Sequence, residues 1–91
     1  MKPELTVTPK LASGVRLNEK NQLPRQLLLA KGTMRISGPS LEIVQLCDGK
    51  HTVQQIAQKL HALYEKAEPQ RVTDDLLSYL ELLKNQGAVE Y

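Results

Sequence analysis

The sequence predicts an α+β domain, a three-stranded antiparallel sheet followed by three helices. Three observations lead there. Short runs of alternating apolar and polar residues fill the first 36 positions, apolar residues at helical spacing fill the rest, and turn or capping residues separate the runs. The chain has 91 residues, enough for one small core that hides roughly 60–65% of the unfolded surface.

Residues 1–10 hold Pro3, Pro9 and scattered Lys and Thr without a sustained period, which reads as a flexible N-terminal arm; residues 11–91 then form the single domain. Val15-Arg16-Leu17 alternates, Asn18-Glu19-Lys20-Asn21 is turn chemistry, and Gln26-Leu27-Leu28-Leu29 follows at hairpin distance. After Lys31-Gly32, Thr33-Met34-Arg35-Ile36 alternates again, with Met34 and Ile36 on one face and Thr33 and Arg35 on the other. Ser37 stands at an N-cap position and Pro39 in a first turn, so Leu41, Ile43, Val44 and Leu46 form a short buried helix that stops at Asp48-Gly49. Thr52 and Gln55 make a capping box for a second helix carrying Val53, Ile56, Ala57, Leu60 and Tyr64, with His61 on its polar face. Pro69 interrupts the pattern, and a third helix runs from about Arg71 to Gln86, ended by Gly87, with Ala88-Val89 as a short last strand. Val72, Leu76, Tyr79 and Leu83 form the core stripe of that helix, Thr73, Leu77, Leu80 and Lys84 one flank, and Leu82 the other flank beside Asp75. Leu77 and Leu82 exceed what one core face needs.

Composition limits the function. A core this small leaves little space for a catalytic cleft, and no nucleophile, base and orienting group fall together, so the chain reads as a non-enzyme. The lone Cys47 makes no internal disulfide and, with His51 and His61, falls short of a zinc set; a buried apolar thiol is the reading. Neither a cofactor nor a metal is expected. No apolar run is long enough to span a bilayer and the first residues lack a signal peptide's apolar stretch, which places the protein in the cytoplasm, off the membrane. Three tyrosines with no Phe or Trp offer no base-stacking platform. The net charge of +2 divides into seven basic and two acidic residues over 1–36, then five basic and eight acidic over 37–91. An asymmetric split of this kind points to an interaction surface.

The order of strands and helices is a winged-helix plan. Gly14-Val15-Arg16-Leu17, the Leu-rich second strand up to Gly32, Leu46-Cys47-Asp48-Gly49, Thr52-Val53 with Ile56, and Asp75-Leu76 with Tyr79-Leu80 and Gly87 together resemble the coenzyme PQQ synthesis protein D family, over roughly Leu11 to Val89. The resemblance implies a peptide chaperone without catalytic activity. It would bind the ribosomally made precursor of pyrroloquinoline quinone and present it to a radical SAM enzyme that joins a glutamate and a tyrosine of that peptide. Where the family usually has Pro-Glu before the glycine, this chain has Ala30-Lys31-Gly32; that reversed charge bears on which precursor is bound and leaves open a different peptide-modifying pathway.

The family's mode is strand addition, in which the peptide pairs with the third strand and lies against the third helix. It implies binding by the main chain of Thr33, Met34, Arg35, Ile36 and Ser37. Met34 or Ile36 and Leu77 or Leu80 would line the groove beside Thr73, and Lys31, Arg35 and Lys84 would meet acidic residues. Each of these has an ordinary alternative as core or solvated surface. DNA binding is the rival, because residues 52–57 look like the leading helix of a helix-turn-helix. Against it, residues 71–86 set Arg71 and Lys84 against Asp74, Asp75 and Glu81, a poor match to a polyanion, so no nucleic-acid partner is expected. A free edge strand fits a monomer or a homodimer equally well.

Overall fold

A computed structural model describes residues 3–18, 26–29, 32–36 and 39–91. The elements in chain order are β1 (Lys10–Leu11), β2 (Arg16–Asn18), β3 (Gln26–Leu29), β4 (Gly32–Arg35), α1 (Pro39–Leu46), α2 (Val53–Leu63), α3 (Pro69–Asn85) and β5 (Val89–Glu90). The fold is α+β. Strands β2, β3 and β4 form an antiparallel sheet in that spatial order, and β1 pairs antiparallel with β5 in a second, two-stranded one. The expected terminal strand is present, and its partner β1 begins in what the sequence read as the arm.

Register explains the faces of the larger sheet. Leu17, Leu27 and Met34 align across β2, β3 and β4, so this row points one way and Arg16, Leu28 and Thr33 the other. Leu27 is fully buried and Ile36, two residues beyond Met34, is 2% exposed. This row packs against one core built from Ile43, Val44 and Cys47 of the α1 region, Val53, Ile56 and Leu60 of α2, and Leu76, Leu80 and Leu83 of α3.

Residues 3–10 depart from the expected loose arm. Pro3 and Pro9 are buried, and Val7 packs against the core. The carbonyls of Val7 and Leu5 accept from the amides of Val53 (2.9 Å) and Gln54 (3.0 Å), and Pro9 accepts from Gly49. Those acceptors complete the start of α2: Thr52 Oγ1 takes the Gln55 amide at 3.1 Å, and Gln55 Oε1 returns to the Thr52 amide at 2.9 Å. Local and distant chain thus share the orphan donors of the first turn. The segment lacks periodicity because its order comes from pairing with α2, not from a helix or strand of its own.

Pro69 also differs from expectation. It is the first residue of α3, where its missing N–H costs nothing, so the helix begins two residues before the expected start. Between α1 and α2, Gly49 has φ +76°, and a Cβ there would lie 3.3 Å from the Lys10 side chain; both constraints hold the turn to glycine. No helix among the described residues is long and apolar enough to cross a membrane.

Candidate functional site

β4 is an edge strand: β3 takes one side, and no described strand pairs with the other. Alternate residues of such a strand turn their N–H and C=O groups outward. Gly32, Thr33 and Arg35 are exposed and Met34 is half-buried. The expected residues Lys31 and Ser37 lie outside the described residues. Ile36 is in the core, so of the Met34 or Ile36 pair only Met34 offers side-chain surface at this edge.

The orientation of α3 decides which of its flanks faces that edge. Pro39, at the start of α1, follows β4 by a few residues, and the α3 residues that meet this region are Val72, Asp75 and Leu76, which share a cleft with Pro39 and Ile43, and Tyr79, whose hydroxyl lies beside Ser40. Burial pushes the Tyr79 hydroxyl pKa up, and the neighbouring Ser40 hydroxyl partly opposes that. Val72, Asp75, Tyr79 and Leu82 recur three and four residues apart, so they share one flank. Leu82 is 43% exposed on it. The sequence places Leu82 beside Asp75 on this flank without marking it for the groove; the signal it carries is a leucine beyond the needs of the core.

The α3 residues that the family resemblance implies for the groove lie elsewhere on the helix. Thr73 faces α2, its Oγ1 3.1 Å from Nε2 of His61, which also lies 3.1 Å from the Pro69 carbonyl. Leu77 is half-buried and packs against the core on the Thr73 flank, and Leu80 is fully buried. The Lys84 ammonium sits 4.3 Å from the centroid of the Tyr91 ring, a cation–π contact. Burial, and then Glu81 nearby, raise the Tyr91 hydroxyl pKa. The structure therefore gathers Thr33, Met34 and Arg35 at one edge with no described strand beyond it, and aims Thr73 and Lys84 toward other partners.

Other candidate chemistry is accounted for by the fold. Cys47 is 3% exposed, and burial, helped by Asp48, pushes its thiol up to about 12, so little thiolate forms near neutrality. Nδ1 of His51 lies 3.0 Å from both carboxylate oxygens of Asp48. That contact, with the Lys50 and His51 amides, lowers the Asp48 carboxyl to about 2. Among the described residues no three His, Cys, Asp or Glu side chains group as metal ligands.

The family model of coenzyme PQQ synthesis protein D matches residues 15–89. A solved structure is also similar: the solution NMR structure of the PqqD truncation of Methylobacterium extorquens PqqCD, described as a functional and stand-alone recognition element for ribosomally synthesized and post-translationally modified peptides. It has a TM-score of 0.73 and 32% sequence identity, over 91% of this chain and 88% of that one. No curated protein matches the chain.

Proposed function

The chain belongs to the coenzyme PQQ synthesis protein D family, and from that membership we propose that it is a non-catalytic, cytoplasmic peptide chaperone. It binds a ribosomally made precursor peptide by strand addition and presents it to a radical SAM enzyme, within a winged-helix-like frame. The observation that carries the mode is the outer edge of β4, which no described strand pairs. A domain of this size has no room to enclose a peptide, but an edge strand supplies backbone hydrogen bonds along its length while alternate side chains of the ligand enter shallow pockets. The main chain of Thr33, Met34, Arg35 and Ile36 pairs with the peptide, and the side chains of Met34, Tyr79 and Leu82 give its apolar residues a wall. Arg35 takes an acidic residue. Leu77 and Lys84 occupy the flank turned toward α2 and Tyr91 and play the smaller part.

Amide chemical shifts during titration with a synthetic precursor peptide of the kind this family binds test the mode. The largest changes are expected at residues 32–36 and at Asp75, Tyr79 and Leu82. Changes confined to the flank of Thr73, Leu77 and Lys84 would overturn the placement, and a titration without changes would overturn the binding function.

A further inference from the structure

A cleft of about 180 Å³ opens where α1, the end of α2 and the start of α3 meet, walled by Pro39, Ile43, Leu60, Tyr64, Val72 and Leu76. Its walls are apolar apart from the Tyr64 hydroxyl, which lies near Glu42. One charged side chain lines it: Asp75, exposed, with no hydrogen bond or ion pair to any described residue. Arg71, four residues before Asp75 on α3, is exposed and makes no ion pair with it, and Lys59 and Lys66 line separate hollows around the last turn of α2. We propose that this cleft is a subsite for one lysine or arginine side chain of the precursor peptide, its methylene stem against the apolar walls and its cation on Asp75.

Two physical points select that occupant. The volume is below the range of clefts that hold whole small ligands and suits a single long side chain. An apolar hollow with a carboxylate on its lining complements a side chain that is apolar along its stem and charged at its tip, as lysine and arginine are. Position selects the peptide as its source. The proposal rests on the strand-addition reading, because a peptide that continues past Arg35 and Ile36 on the edge of β4 arrives where Pro39 borders the cleft. Arg35 on the strand and Asp75 on the helix then demand opposite charges at two points of one peptide, which fixes its direction as well as its register.

Fluorescence anisotropy with the labelled synthetic precursor, at low salt, tests the subsite. Asp75→Asn is expected to weaken binding about fivefold, the size of an exposed ion pair. Ala67 also lines the cleft and is exposed at its rim, so Ala67→Phe, which fills the cleft from there, is expected to weaken binding as well, with an unchanged melting temperature. Replacing each Lys and Arg of the peptide by Gln in turn should identify one position whose loss costs wild type the same fivefold and costs Asp75→Asn nothing more. Unchanged affinity of Asp75→Asn for the unmodified peptide overturns the subsite while leaving strand addition standing; a wild-type protein that does not bind the peptide overturns both. If both variants keep peptide affinity but lose capture of the radical SAM enzyme, or lose self-association, the occupant is a partner protein or a second copy and the proposal falls.

Discussion

Cys47 shows how far one side chain's chemistry follows from its place in the core. The sequence already suggested a buried apolar thiol, since one cysteine with no basic neighbour has neither a disulfide partner nor a source of thiolate stabilisation. The fold adds the degree. Burial, and then the negative charge of Asp48, raise the thiol from an ordinary 9.0 to about 12. Alkylation proceeds through the thiolate, so at pH 8 the native protein should react with iodoacetamide about a thousandfold more slowly than the denatured chain, as read by mass spectrometry. The sign of the linked stability follows. Below the unfolded value the thiol is neutral in both states; as pH rises from 9.0 toward 12 the unfolded chain ionises first, so folding weakens across that window. Cys47→Ala should flatten this alkaline loss. Equal alkylation rates in the native and denatured protein would show that the thiol is reached without unfolding.

The elements differ in how much of their cause is local, and that decides what the sequence could show. Helix α2 was legible because Thr52 and Gln55 cap it from within, three residues apart. The docked segment of residues 3–10 was not, because its partners, the amides of Gly49, Val53 and Gln54, lie some forty residues away and leave no period in the segment itself. Helix α3 shows an intermediate case. Its 3.6-residue period shows which residues share a stripe but not which neighbour that stripe meets, so Thr73, Leu77 and Lys84 were expected at the groove while the contacts of Asp75 and Tyr79 turn the opposite flank toward α1. Deleting residues 1–9 removes the three carbonyls that cap α2 and the 48–50 turn. At roughly 1 kcal/mol for each hydrogen bond this costs about 3 kcal/mol, measurable by urea denaturation. Hydrogen exchange gives the finer readout: the Val53 and Gln54 amides should exchange faster, while Gln55, held by Thr52, keeps its protection. Unaltered exchange at Val53 and Gln54 would mean that the segment does not cap the helix in solution.

Over the whole molecule the charge division becomes a statement about encounter. The first 36 residues, which build the three-stranded sheet, carry a net +5, and residues 37–91, which build the helices, a net −3. The molecule measures 32 × 27 × 20 Å. At about 0.01 M salt the screening length is about 30 Å, so both halves act together on an approaching peptide and orient it as a dipole would. At about 0.1 M it is about 10 Å, and only charges near the β4 edge still act. Proposed steering of an acidic peptide segment toward the sheet therefore belongs mainly to low salt and to the rate of association, because exposed charges add little once contacts have formed. Stopped-flow association with the labelled precursor should slow several-fold between about 0.01 M and 0.1 M salt and only slightly beyond, with a much smaller change in dissociation. An association rate independent of salt would remove the steering role of the basic half. A dissociation rate that carries most of the salt dependence would instead place the electrostatic contribution in contacts of the formed complex, such as those at Arg35 and Asp75.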